Sequence, residues 1–273
     1  MSSNNVAAVS AFIEGAPPGE LTDVVNDIKA LTPDDRNLLE SARPAFKKYN
    51  EEQLTTVKLP GGSKNVLISQ YNTLEDGRYY DVESQSSFAF DHMTQKASDV
   101  RSHVLDSEHK DLITSLLKSL NIHAHEHYPS SSHAIFPTKP NTTLAILLTA
   151  NKYSPANFWN GRLRTTYLYS PTTGTLIGTL KCDVHYFEDG NVRLTTKKEV
   201  PEINVAGGDA GALVRAIAKI EKAWQEELNR GFGRLSEGEF KSLRRQLPVT
   251  RQKVEWEKVG SYKAGKEIGG GRR

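Results

Sequence analysis

Five stretches in the second half of the chain, HAIFPT, TTLAILLTANKY, GRLRTTYLYSP, GTLIGTLKCDVHYF and GNVRLTTKKEV, are rich in β-branched and aromatic residues. Short turn sequences such as PTTG and EDGN separate them. Strands joined by loops this short run antiparallel, because a parallel pair needs a crossover of about a dozen residues or more. Residues 133–200 are therefore predicted to form a five-stranded antiparallel meander. An open sheet of this kind has two edges whose unpaired N–H and C=O groups invite other strands. The chain must supply cover for a face and protection for an edge.

Cover is legible immediately after the meander. Beyond GGDAG, with Asp209 as helix cap, Leu213, Ile217, Ile220, Trp224 and Leu228 recur at the helical period and predict one long amphipathic helix. The first half of the chain has a different rhythm. VAAVSAFIEG reads as a helix ending at Gly15, PPGELTDVVNDIKAL as a second, and TPDDRNLLESARPAF as another, with Thr32 as cap and Pro33 at the first helical position. From Leu54 to Asp91, brief apolar runs such as TTVKL and NVLISQY alternate with PGGS and EDGR, which predicts small hairpins. A further stalk-like helix is expected over Ser107 to His127, with Leu112, Leu116 and Leu120 on one face.

The fold class expected is α+β. Residues 1–127 form a helical stalk with an inserted hairpin globule at about 54–91, residues 128–232 the sheet and its covering helix, and residues 233–273 a basic amphipathic tail. The charge is unevenly spread. From Arg234 onward there are eleven Lys and Arg against five Asp and Glu, net +6, so the remainder of this +2 chain carries −4. No aromatic-interleaved or groove-reading motif accompanies the basic segment, so nucleic acid is not the expected partner. An acidic protein surface or anionic lipid fits better. The chain has no apolar run of about 18 residues, and MSSNNVAAVS is not a secretory leader, so a cytosolic protein is expected. Its one cysteine, Cys182, lies in an apolar-alternating run without an activating neighbour and reads as a strand residue.

Catalysis finds little support. His123, His125 and His127 in HAHEHY are two residues apart, a spacing that turns neighbours about 200° around a helix, so they read as a solvated helix end and not as metal ligands. His185 and Glu188 in HYFEDG flank a turn with no nucleophile or oxyanion donor nearby. The phosphate-binding glycine patterns are missing, and no cofactor is implied.

The tail FKSLRRQLPVTRQKVEWEKV carries the strongest binding signal. On a helix, Phe240, Leu243 and Leu247 fall within about 60° of one another, Lys241 and Arg245 are neighbours on a separate basic face, and Arg244 borders it. Pro248 interrupts this turn, and Val249, Trp256 and Val259 form a second stripe. Residues alone leave two readings: a helix packed on its own sheet with its charges in solvent, or a segment that binds an acidic surface. A peripheral module on anionic membrane is one form of the latter, at about 1 kcal/mol per charge.

FIEGAPPGELTDVVNDIKAL, DVESQSSFAFDHMTQKAS, NFWNGRLRT, VHYFEDGNVRL and FKSLRRQLPVTR, in that order, resemble the alpha subunit of the F-actin capping protein, nearly end to end. Leu163 departs from that pattern, where members of the family often have Trp. The resemblance implies a non-enzymatic subunit that pairs obligately with a beta subunit and blocks the barbed end of actin filaments. Its partner would protect the sheet edge. It further implies that Lys241, Arg244, Arg245 and Arg251 face acidic actin surface, and that Leu243, Leu247 and Trp256 help grip the terminal protomers. Phosphatidylinositol bisphosphate is expected to compete for the basic face. The expected location is the cytoplasm, at cortical actin structures of the cytoskeleton.

Overall fold

A computed structural model of the chain describes residues 3–35, 37–128, 130–138, 142–188, 190–205, 209–235 and 238. Two compact units divide it, Met1–Ala223 and Trp224–Arg273. The architecture that follows is that of the first.

Four helices open the chain: α1 (Ser3–Glu14), α2 (Leu21–Leu31), the single turn α3 (Leu38–Ser41) and α4 (Arg43–Glu52). Val9, Ile13, Leu21, Ile28, Leu38, Phe46 and Tyr49 bury their side chains together in one apolar cluster. Thr32 does not start a helix as expected. It ends α2, its backbone N–H and its hydroxyl both donating to the carbonyl of Ile28, at 2.9 and 2.7 Å. A threonine can satisfy orphan groups at either helix end, and here the C-terminal carbonyls are the ones within reach. The next helical turns begin only at Leu38 and break again at Ala42, where Pro44 takes a place in the first turn of α4.

The globule consists of β1 (Thr56–Lys58) with β2 (Asn65–Leu67), and β3 (Tyr79–Asp81), β4 (Ser86–Asp91) and β5 (Lys96–Ser102) in a second small sheet. It thus extends past Asp91. β5 has no apolar alternation to announce it and is held by pairing with β4. Val57, Leu59, Val66, Ile68, Tyr79 and Phe88 make the core of the globule. α4 anchors it. Asn50 donates to the carbonyl of His92 at 2.9 Å and accepts from Gln95 at 2.7 Å, and Tyr79 donates its hydroxyl to Glu51 at 2.6 Å.

After α5 (Lys110–His127) come β6 (Ser131–Pro137), β7 (Leu144–Ser154), β8 (Trp159–Ser170), β9 (Thr175–Tyr186) and β10 (Val192–Asn204), in spatial order β10-β9-β8-β7-β6, every pair antiparallel. This is the meander read from the sequence. Helix α6 (Ala210–Arg234) follows, its first turn capped by Asp209, whose carboxylate accepts from the Ala212 N–H at 2.8 Å. Leu213, Val214 and Ile217 of α6 are buried. Strand alternation gives the sheet two faces with different company. Ala145 and Leu147 turn toward the globule, with Tyr80 and Leu54, while Leu148 turns toward Ala124 and Tyr128 at the end of α5. Leu163, the departure from the family pattern, packs at the border of that second cluster.

Burial and the nearby Lys47 charge push the His92 imidazole down to about 4. In the unfolded chain it returns to about 6.5, so between those values the folded state binds fewer protons. Stability is then intact above about pH 6.5 and is lost as pH falls toward about 4. We expect the melting temperature to decline over this window and His92→Gln to flatten the decline, as calorimetry at stepped pH will read. An unaltered slope in the variant would remove His92 from the acid response.

Candidate functional site

Three places on the described residues concentrate unusual chemistry, and two of them lie on opposite faces of the large sheet. On the α6 face, the Glu221 carboxylate is only 2% exposed. It accepts the Tyr128 hydroxyl at 2.8 Å and the Tyr167 hydroxyl at 3.2 Å, and lies 2.8 Å from Nε2 of His123. Burial, followed by the Glu221 charge, raises the Tyr167 phenol well above its usual range. A carboxylate taken out of water needs such donors, and here they come from α5, its C-terminal cap and β8. The ring of Tyr167 lies over Gly178 across the β8–β9 pair. A Cβ at Gly178 would sit 2.4 Å from Cδ1 of that ring, so the glycine makes room for the network.

This network corrects one expectation. His125 and His127 are exposed, but His123 is buried, because α6 brings a carboxylate to it from 98 residues away. Among the described residues no group of three or more His, Cys, Asp or Glu is placed to hold a metal.

On the opposite face the sheet receives the ends of the stalk helices through polar side chains. Arg162 Nη1 donates to the carbonyl of Gln53 at 3.1 Å, and Arg164 donates to that of Glu52, both at the C-terminus of α4. Arg193 donates to the carbonyl of Gly15 beyond α1 and pairs with Asp183 at 2.6 and 2.9 Å. His185 places Nδ1 2.8 Å from both oxygens of Glu20, and Asn160 donates to the same carboxylate at 2.8 Å. The acid beside His185 is thus Glu20 and not Glu188, which accepts from Tyr186 at 2.6 Å. These bonds join the sheet to the ends of the stalk helices. Cys182 lies in β9, half-buried, its thiol held above the usual value chiefly by burial.

The third place is the free edge. β6 is packed by β2 and α5, whereas β10 has no strand on its outer side among the described residues. Its side chains are mostly exposed or half-buried. Apolar groups gather near its start: Val192 is 60% exposed, and Phe158 and Tyr186 on the neighbouring strand ends are also exposed. Pro201 and a register shift between Val200 and Ile203 interrupt the ladder, which resumes at Ile203.

The seven tail residues expected to bind a partner, Lys241, Leu243, Arg244, Arg245, Leu247, Arg251 and Trp256, lie outside the described residues. The sequence reading in turn missed Arg162, Arg164 and Glu221. Signals for them exist. Two arginines two apart in a strand share a face, and Glu221 falls on the apolar stripe one turn after Ile217.

A family model for the F-actin capping protein alpha subunit matches residues 9–267. The F-actin-capping protein subunit alpha of Neurospora crassa is 59% identical over 263 residues, spanning 96% of both chains. That of Emericella nidulans is 56% identical over 98% of both, and that of Caenorhabditis elegans 35% over 96% of both. In fold, the homodimeric actin capping protein alpha subunit from Plasmodium berghei is similar at a TM-score of 0.71 and 18% identity, covering 92% of this chain and 100% of that one.

Replacing Glu221 by Ala removes the buried carboxylate to which the Tyr128 and Tyr167 hydroxyls and the His123 imidazole bond. Each unsatisfied buried group costs about 1–3 kcal/mol, so a loss of roughly 3–5 kcal/mol is expected, with a smaller one for Glu221→Gln. Urea unfolding of both variants measures it. Equal, small losses would mean that the carboxylate is dispensable.

Proposed function

The chain belongs to the F-actin capping protein alpha subunit family, and on that premise we propose that it is the alpha subunit of a heterodimer that blocks the barbed end of actin filaments. The observation that carries this reading is the match over residues 9–267, together with identity above half to relatives of the same length. Addition and loss of actin subunits at that end stop together, because one bound complex occludes the surface that both steps use. No bond is made or broken, so binding energy and surface shape are the whole mechanism.

The partner is a beta subunit with a related sheet. Among the described residues β10 offers an unpaired backbone ladder and exposed apolar side chains at one end, the features of an edge that continues into another chain. The Plasmodium berghei protein is homodimeric, so self-association is the competing assembly for this chain. Filament contact belongs to the tail. Lys241, Arg244, Arg245 and Arg251 steer encounter with the acidic actin surface, and Leu243, Leu247 and Trp256 bury area once there. Phosphatidylinositol bisphosphate inhibits by occupying the same basic face, and the complex works at cortical actin structures. A module that binds anionic membrane with actin irrelevant would use the same tail; the family match favours actin.

Elongation of barbed ends from seeds, followed by pyrene-actin fluorescence, tests the tail. Reversing Lys241, Arg245 and Arg251 to Glu is expected to slow capping by roughly 10-fold or more at low salt and to weaken its salt dependence, without changing the melting temperature. Leu243→Ala, Leu247→Ala or Trp256→Ala is expected instead to speed dissociation, each side chain contributing about 1.5–3 kcal/mol. Unchanged capping by the charge-reversed complex would take these residues out of the contact.

A further inference from the structure

Arg162 and Arg164 are each 7% exposed, and among the described residues no carboxylate lies within 4 Å of either guanidinium. Buried arginine is ordinarily paired. Arg162 is satisfied by neutral acceptors, Asn151, Tyr153 and Gln53. Arg164 is not. It gives one bond to the Glu52 carbonyl, and its Nε is buried without a partner.

Arg164 lines a cavity of about 540 Å³ between α4, the turn at Ser69 and Gln70, and the sheet. Lys47, Lys48, Lys181 and Lys197 line it too, against the carboxylates of Glu51 and Glu52. Three of these lysines have carboxylate partners: Lys47 with Glu51 at 3.8 Å, Lys48 with Glu14 at 2.5 Å and Lys197 with Glu199. Lys181 has no carboxylate within ion-pair distance among the described residues, and it stands directly across the β8–β9 pair from Arg164. The two cations without an ion-pair partner among the described residues are therefore cross-strand neighbours. Like charges so placed repel, and the surrounding protein supplies less counter-charge than the site holds.

We propose that this cavity binds a multivalent phosphate-class anion, which neutralises Arg164 and Lys181, with Lys197 at its rim. The chemistry fits in two respects. The guanidinium fork matches two oxygens of one phosphate group, while the lysine ammonium meets a second charge as a compact donor. The volume exceeds what a single orthophosphate needs and falls in the range of small-ligand pockets, about 300–1,000 Å³. Burial, and next the Arg164 charge, hold the Lys181 ammonium below its usual value, and Arg164 itself is pushed down to about 10, strain that a bound anion relieves. The site is on residues remote in sequence from the tail, and it stands or falls independently of the capping reading.

Pyrophosphate is the probe, titrated calorimetrically into the full-length protein in the assembly in which it purifies, with sulfate at equal ionic strength as control. We expect saturable binding at one pyrophosphate per chain, weaker by at least 10-fold in Lys181→Gln and in Lys181→Gln/Lys197→Gln, and unchanged in Lys241→Glu/Arg245→Glu/Arg251→Glu. Both lysines are off the apolar core, so the variants are expected to fold; an unaltered melting temperature without ligand checks it. Vesicles bearing phosphatidylinositol bisphosphate separate the sources. Sedimentation that survives Lys181→Gln assigns the cavity to a free anion, and sedimentation lost with it assigns the cavity to the lipid headgroup. No saturable binding, as when a partner's acidic side chain already fills the cavity, overturns the proposal. So does binding that Lys181→Gln leaves intact or that sulfate matches.

Discussion

A helix ends with carbonyl groups that have no partner inside it, and this chain points two such ends at a single face of one sheet. Arg162 and Arg164 take the last carbonyls of α4, and Arg193 takes the one beyond α1. Cations near a helix C-terminus also meet the negative end of its dipole, which lowers the penalty for burying them. Because α4 also carries Asn50 and Glu51, which bond to His92 and Tyr79, the globule is fixed through the same helix. Stalk, globule and sheet are thereby fixed to one another by donors on β8 and β10.

The opposite face of the sheet is organised by a single carboxylate. Glu221 ties α6 to the end of α5 and to β8, with Tyr167 laid over Gly178 to reach it. An apolar side chain at that position would bury as well but would specify rotation about the helix axis less sharply than three directed bonds do. The two faces therefore differ in kind, a polar joint on one side and a covering helix on the other. At the remaining edge, β10 carries no further strand among the described residues.

Much of this was legible in the sequence because it rests on local rules. The meander follows from turn composition and strand period, α1 from its stop at Gly15, and the start of α6 from Asp209. The errors arose where the deciding partner is distant. Thr32 could cap forward or back, and only the position of the Ile28 carbonyl chose. β5 is a run of mostly polar, mostly exposed residues that becomes a strand because β4 lies beside it. His123 looked like part of a solvated end because Glu221, 98 residues away, cannot be seen from HAHEHY. Arg162 and Arg164 show the same limit: their shared face is readable, their acceptors on α4 are not. The tail stands apart, since its reading comes from the resemblance and its residues lie outside those the structure describes.

The central claim is that this chain, joined to a beta subunit, stops growth at one end of the filament only. Direct observation of single fluorescent actin filaments tests it, with the chain alone, the beta subunit alone and the co-purified pair added to growing filaments in turn. The account predicts that the pair halts barbed ends while pointed ends continue to grow, and that neither subunit alone does so. Barbed ends that elongate at an undiminished rate with the pair bound at saturating concentration would contradict it.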